Sequence, residues 1–585
     1  MITIVTQNVS SYRNGRPAGL PTIGSLAKNK LVGVITASNH WAATEYNSNN
    51  AWNVNFGSGN FGNNNKYNSN VVRAVAALRE EEIESFVEAY DECCRNKRTS
   101  KECIRYSLDA VTDLPVLAAE VFSMIYHPST SITFIVLRPK PREIFAAGFR
   151  DRIVQHWIIL RLNDIIEQRF VSQGNVSYNC REGFGTLLAQ KDIQRKMQKA
   201  GCGPDSYVGH YDIRSFFMSI DVELLWQRLE PFIQENYKWY QLPSGRVLDD
   251  KEVLLWLTKT VIFHRPQSNC EYRGDVALRE LVNPSKMLTN RDDLVGMPIG
   301  NITSQILANF FLSFFDEWML TRIHQLGFGA LPWDVPAEQR DGVELASDHY
   351  LRFVDDYTLI GLPREVCKQL FREASVWLHD TLHLSLHDDK VYLQHITHGV
   401  KMIGAVICPN RIYISNRTKS HFCSSVRQLN DVSGRIVSAV RASHPSNGKP
   451  LVPVRRGMYR MLEELEHYIQ SANSLLGLMR HLDTYAIRRY AFERAHRGKP
   501  YRRHLLYATC YTRSGYVSLR IRKPFTINRY FITINQQEYA HQTILSNPTR
   551  RSGGHTRPST KHRALFHYSS FACFRRARRR AAAVC

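Results

Sequence analysis

The sequence predicts an α+β fold: a small antiparallel sheet set among amphipathic helices. Three observations carry that expectation. Residues 210–217 and 351–360, about 140 residues apart, each place aspartates among β-favouring neighbours. Between them, the glycine-punctuated residues 296–305 run into an apolar helical stretch at 306–312. Residues 71–95 and 456–494 repeat apolar side chains at helical spacing, the latter through Met461, Leu465, Tyr468, Leu475 and Met479.

Taken in order, residues 71–95 read as the first ordered helix, rich in Glu. Residues 132–137 read as a strand, and 173–203 pass through a Gly-containing turn into a basic helix around Lys191 and Lys199. In the second acidic segment, Phe353 and Val354 precede the adjacent Asp355 and Asp356, and Tyr357, Thr358 and Leu359 follow. That pattern predicts a tight hairpin with both aspartates at or near its tip. The glycines of 296–305 let backbone approach a ligand closely, and Thr303 or Ser304 is expected to cap the helix that follows. Residues 239–290 exceed what a compact sheet domain needs, and 326–347, rich in Gly, Pro and acids, read as a surface loop. Residues 514–534 alternate like strands.

Two adjacent carboxylates repel and become favourable beside a cation. If Asp212 ends a neighbouring strand, three carboxylates can hold two Mg²⁺ ions, the arrangement that drives in-line nucleotidyl transfer. A solvated turn is the plain alternative, and the apolar runs flanking both clusters weigh against it. The 296–305 loop then reads as a floor for a nucleotide and its template partner, an ordinary loop-to-helix junction being the alternative.

Composition agrees. The 585 residues exceed one ordinary domain, and a net charge of +23 with a pI near 9.5 implies a polyanionic partner rather than a membrane. Twelve scattered cysteines without a CxxC pair point to a reducing compartment, with neither a disulfide framework nor a zinc site. No secretory leader or membrane-length apolar run is evident, so a cytoplasmic location is expected.

Together these blocks resemble a reverse transcriptase, in that family's order. Residues 138–147 and 149–156 resemble its fingers, 178–186 the next block, and 212–217 the first palm motif. Residues 296–305, 353–356, 386–390 and 402–404 complete the series, and the resemblance covers roughly 80–490. Group II intron enzymes usually carry Gln-Gly where Ile299-Gly300 stands and Ser-Pro where Ser304-Gln305 stands. The version here is similar to the reverse transcriptases of diversity-generating retroelements. The resemblance implies a right-hand polymerase (fingers, palm with antiparallel sheet, helical thumb) with an Asn-rich amino-terminal appendage and a basic carboxyl-terminal tail. It also implies copying of a template-repeat RNA into cDNA with errors at adenines, dNTPs and a primer as substrates, and a small basic helical accessory protein as partner.

Residue by residue, the resemblance makes Asp212, Asp355 and Asp356 the carboxylates for two Mg²⁺ ions, with the Ile213 carbonyl completing a shell. Phe217 stands at the steric gate against a ribose 2′-hydroxyl, with Phe216 beside it leaving the register open by one. Lys140 and Arg142 grip the triphosphate, and Lys390 protonates pyrophosphate. Arg181 is expected to contact nucleic acid, and Arg480, His481, Arg488 and Arg489 in the thumb to grip the duplex or else to form a solvated face. Two rivals stand beside this reading: a reverse transcriptase of another lineage, such as an intron maturase or an abortive-infection enzyme, and a non-enzymatic RNA-binding or lectin-like display protein.

The expected divisions are an Asn/Gly-rich segment (1–77), helices and fingers (78–205), palm with insertions (206–410), thumb (411–497), an unassigned extension (498–548) and a basic, disordered tail (549–585). The tail carries ten Lys or Arg and no acid. From Asn39 to Asn70, twelve asparagines occur in 32 residues, punctuated by Trp41, Tyr46, Trp52, Phe56, Phe61 and Tyr67. This resembles the end of a C-type-lectin-like variable protein, in which Asn codons are the diversified positions. Residues 1–77 are therefore expected to be a translated template repeat without a fold of its own, a functional fused domain being the alternative.

Overall fold

The computed structural model describes residues 78–95, 97–137, 140–291, 294–439, 457–492 and 518–520 with their side chains, and the backbone of further short elements. Helices α1 (Glu80–Cys94) and α2 (Lys101–Phe122) lead into a hairpin of β1 (Ser131–Val136) and β2 (Arg142–Ala146). Then come α3 (Phe149–Ser172), α4 (Thr186–Ala200), β3 (Tyr207–Asp212), a four-residue helix at Phe216–Ser219, α5 (Val222–Asn236) and α6 (Lys251–Phe263). A short strand, β4 (Cys270–Tyr272), precedes α7 (Ile302–Phe311) and α8 (Ser313–Gln325). The hairpin β5 (Tyr350–Phe353) and β6 (Asp356–Leu362), helix α9 (Arg364–Leu382) and β7 (Tyr392–His395) complete the central region. A three-stranded antiparallel sheet, β8 (Val400–Met402), β9 (Ala405–Cys408) and β10 (Arg411–Ile414), precedes the long helix α10 (Asn416–Ala442). Helices α11 (Arg456–Met479) and α12 (Tyr485–Arg494) divide the predicted 456–494 helical region in two.

Four strands form the central sheet in the order β5-β6-β3-β7, every neighbour antiparallel. Strand alternation gives its two faces different partners. Tyr211, Tyr350, Tyr357 and Leu359 enter the main core beside α7–α9. Val208, Leu351 and Ile360 join Ala189, Ile193 and Met197 of α4 in a second cluster. The α+β expectation holds in this mixed architecture.

Beneath the β5–β6 turn lies a buried ion pair. Arg352 sits on the core face of β5, and it and Asp316 of α8 are both fully buried. Arg352 Nε and Nη2 donate to the two carboxylate oxygens at 2.7 and 2.6 Å, and Tyr350 Oη donates to the same group at 2.7 Å. Arg352 Nη1 continues to Asn309 Oδ1 at 2.9 Å and to the Val354 carbonyl at 3.0 Å. The pair thus ties turn, sheet and two helices together.

Contacts group the chain into two compact units. One holds 1–428, 468–497 and 509–518; the other holds 429–467, 498–508 and 519–585, so the expected thumb, 411–497, does not form a single unit. Residues 1–77, expected to lack a fold of their own, carry a local antiparallel sheet of Asn39–Glu45, Asn50–Asn55 and Asn60–Asn65. The β-favouring Trp41, Trp52, Val54 and Phe61 lie within those strands, which suits pairing despite the asparagines. Strands at Gly515–Ile521, Phe525–Ile527 and Phe531–Ile534 follow the alternation read at 514–534. The basic tail, 549–585, lies outside the described residues. No helix among those described is long and apolar enough to cross a membrane.

Removing one partner of a buried ion pair leaves an uncompensated charge. Arg352→Met is expected to lower stability by ~3–5 kcal/mol, and Arg352→Met with Asp316→Leu to recover much of it, measured by urea unfolding.

Candidate active site at the end of the central sheet

Phe353 pairs with Asp356, so Val354 and Asp355 are the two central residues of the hairpin turn. Val354 has φ 59°, a left-handed conformation that a β-branched side chain disfavours. A positive φ at this position matches the twist of paired strands, which usually selects glycine. Here the Arg352 bond to the Val354 carbonyl helps hold the strained form.

The register places Asp356 directly opposite Asp212, and the Ile213 amide donates to the Asp355 carbonyl at 3.2 Å. Three carboxylates from distant sequence therefore gather at one sheet end, with the Ile213 backbone beside them. Burial, then the neighbouring Asp355 and Asp212 charges, push the Asp356 carboxyl up to about 7. Asp355 is raised too, by burial and by Asp212. The cations opposing these shifts are informative: Arg142 and Lys390 act on Asp355, and Lys390 and Lys140 act on Asp356. Lys140 and Arg142, at the β1–β2 hairpin, thus belong to the same electrostatic site.

Lys390, in the turn Asp388–Lys390, forms an ion pair with Asp212 Oδ2. His210 Nε2 lies 3.6 Å from Asp356 Oδ1, and burial pushes the imidazole down to about 4, so it is neutral near pH 7. Among the described residues, no three His, Cys, Asp or Glu side chains converge closely enough to hold a metal ion. The backbone collects the carboxylates, while the Asp212 side chain is turned to Lys390. Their chemistry suits a hard divalent cation: oxygen donors, clustered, with mutual repulsion that such an ion relieves.

The 296–305 loop is stitched to both neighbours. Met297 N donates to the Phe217 carbonyl at 2.7 Å, and Phe145 N of β2 to the Ile299 carbonyl at 2.9 Å. Gly300 has φ 130°, and a Cβ there would stand 2.5 Å from the Phe145 carbonyl oxygen, so a side chain is excluded. Phe216 is buried in the main core, whereas Phe217 is half-buried beside Ile299, which makes Phe217 the aromatic nearer the surface. Gln305 is exposed on α7, its Oε1 3.8 Å from Cys180 Sγ. The expected cap is corrected: Asn301 is the N-cap of α7, and Thr303 and Ser304 are buried inside the helix. Asn301 Oδ1 accepts from the Ala147 amide at 3.4 Å, so its side chain bridges to the β2 end rather than closing its own helix.

Two of the residues expected to contact nucleic acid are buried within the fold. Arg181 is buried, bonded to Glu167, Asn175 and the Ser177 carbonyl, and stacked 3.8 Å over Phe184. Arg488 is buried in α12. Arg480, whose Nε lies 2.8 Å from His481 Nε2, and Arg489 are exposed. Sequence reasoning missed His210, Asn309 and the Arg352–Asp316 pair. The available signal was a charged residue at an inward position of an otherwise apolar strand, Tyr350-Leu351-Arg352-Phe353.

Comparison with protein-family models finds no match to this chain, and comparison with curated proteins finds none. Solved structures with some similarity include telomerases. Telomerase from Candida tropicalis, truncated from its C-terminal domain, aligns at TM-score 0.33 and 10% identity over 49% of this chain and 55% of that one. Candida albicans telomerase, with a fragment of telomeric RNA, aligns at 0.33 and 12% over 62% and 57%. Apo telomerase from Candida tropicalis aligns at 0.33 and 9% over 63% and 67%. This chain thus spans little more than half the length of the first two.

Asp356 supplies a pH test. Its folded-state value lies above the unfolded value of ~4, so its contribution to stability is present below that value and lost as pH rises through about 7. In chelator, Asp356→Asn is expected to gain on the wild type in melting temperature as pH rises from ~4 to 7; parallel curves would contradict the assignment. Gly300→Ala is expected to cost ~1–3 kcal/mol through the collision with β2, read by thermal unfolding.

Proposed function

We propose that this protein is an RNA-directed DNA polymerase that copies a template-repeat RNA into cDNA, with errors concentrated at adenines, to diversify a target gene. The observation that carries the polymerase reading is the pairing of Asp212 with Asp356 beside the Asp355 turn, under the influence of Lys140 and Arg142. The adenine-directed part rests on the sequence resemblance through residues 299–305.

In this reading Asp212, Asp355 and Asp356, with the Ile213 carbonyl, would hold two Mg²⁺ ions once Asp212 turns from Lys390, and the ions would supply activation of the primer 3′-hydroxyl and neutralisation of the phosphates. The protein's own groups do the rest. Arg142 and Lys140 bind the triphosphate oxygens, Arg142 with a planar fork suited to paired contacts. Phe217 excludes a 2′-hydroxyl, and Ile299 and Gly300 form the floor under the templating pair, with Gln305 behind them. Lys390, free to leave Asp212 once that carboxylate is otherwise engaged, donates its Nζ proton to pyrophosphate. Arg480 and Arg489 contact the backbone of the primer–template duplex. A small basic helical accessory protein and a cytoplasmic setting complete the proposal.

Primer extension on a structured RNA template with dNTPs and Mg²⁺ tests it. Wild-type protein is expected to extend the primer. Asp355→Asn and Asp212→Asn should each slow extension by about 10³-fold or more, ~4 kcal/mol of transition-state stabilisation. Sequenced products should show misincorporation concentrated opposite template adenines. Evenly spread errors would retain the polymerase and remove the diversifying role; no extension would remove both.

A further inference from the structure

Between α6 and the glycine loop, the chain makes a detour around the β1–β2 hairpin. Strand β4 adds to β1 in parallel, with Cys270 opposite Ser131 and Tyr272 opposite Thr133. Three 3₁₀ turns follow, at Val276–Leu281, Pro284–Lys286 and Leu288–Asn290. The last of them lands on β2. There Glu143, only 3% exposed, accepts the Thr289 amide at 3.1 Å and the Thr289 hydroxyl, with Arg279 Nη2 at 3.7 Å. A carboxylate buried this deeply is costly unless paired, and these partners all belong to the detour.

Leu288, next to Thr289, is buried with Phe145 and Met218, and Phe217 and Ile299 close the same small cluster. Phe217 itself sits on the four-residue helix Phe216–Ser219, too short to hold its own position. Its place is set from outside: by the Met297 amide on its carbonyl, by the Gly296 amide on Ile220 at 2.8 Å, and by Leu288 beneath. Arg265, at the start of the detour, donates through Nη1 to the Gly296 carbonyl at 3.1 Å.

We propose that residues 264–290 are a brace for sugar discrimination, in which Glu143 and Thr289 are positioning residues that keep Phe217 from yielding to a ribose 2′-hydroxyl. The inference rests on the polymerase reading and adds to it. An aromatic gate discriminates only as far as it resists displacement, and a wall free to shift by a fraction of an ångström admits one more oxygen atom. Anchoring the detour to a buried charge on β2 fixes Leu288, and Leu288 fixes the gate from below. Ile299 is held by the same cluster, so the brace also sets the floor under the templating pair.

The test is single-nucleotide extension by the full chain on an RNA template with Mg²⁺, comparing kcat/KM for a dNTP and the matching rNTP. Thr289→Val keeps the side-chain shape and removes the hydroxyl donor. Thr289 is exposed on its outer side, so the core is undisturbed. The variant is expected to lose about tenfold in deoxyribose selectivity, chiefly through a rise for the rNTP. Glu143→Gln should act in the same direction, and Thr289→Ser, which keeps the donor, should match the wild type. In a Phe217→Val background the effect of Thr289→Val should vanish, because the gate it steadies is gone. Unchanged selectivity in Thr289→Val, or an undiminished effect in the Phe217→Val background, overturns the brace while leaving the polymerase intact. A wild type that extends with neither substrate overturns the polymerase reading itself.

Discussion

The guanidinium of Arg352 is the constraint on which the site depends. It sits on the core face of β5, fully buried, and serves Asp316, Asn309 and the Val354 carbonyl at once. The turn above it puts a β-branched residue in the left-handed region and presses two carboxylates together, both unfavourable locally. Neither would persist on an isolated hairpin. A planar, permanently charged group with five donors can satisfy a carboxylate and brace a strained carbonyl simultaneously, which a lysine could not do. Stability invested in the core is thereby converted into a fixed geometry at the sheet end.

The electrostatics above that anchor are unbalanced in a directed way. Asp355 and Asp356 are both held toward protonation, Asp355 by burial and Asp212, Asp356 by burial, Asp355 and Asp212, and Asp212 borrows Lys390 as counter-charge. Lys140 and Arg142 reach the same field from the β1–β2 hairpin. A site with this pattern favours whatever brings added positive charge to the carboxylates and negative charge to the β1–β2 hairpin. A metal-bound polyphosphate brings both in one ligand. The chain's net charge of +23 extends the same preference to a polyanionic partner.

Much of this was legible in the sequence, and the reasons are local. The aspartates could be read because strand formers on either side fix the period, so the hairpin and its register follow from neighbours alone. The helices near 80–94, 186–200 and 456–494 were legible for the same reason. What failed was anything decided by a distant partner. Arg181 and Arg488 look in sequence like surface charges, and only the arrival of Glu167, Asn175 and Phe184 makes Arg181 a core residue. Thr303 and Ser304 are sound cap residues by type, but Asn301 holds the cap position because its side chain also meets the end of β2. The 239–290 span registered as excess length, and its attachment to Glu143 lies 146 residues away from Thr289 in sequence.

That last separation bears on how specificity can arise in such a fold. The carboxylates and the hairpin that carries them are fixed by backbone pairing, which leaves little room for adjustment without loss of the sheet. Phe217, Ile299 and Gly300 are fixed instead by side-chain packing and by loop-to-strand hydrogen bonds at their margins. Packing contacts change by single methyl groups, in steps of roughly 1 kcal/mol. The carboxylates and the wall of Phe217 and Ile299 are thus held by different classes of interaction. On the proposed polymerase reading, substitutions around Leu288 and Glu143 shift which nucleotide is accepted, while the pairing of Asp212 with Asp356 stays as it is.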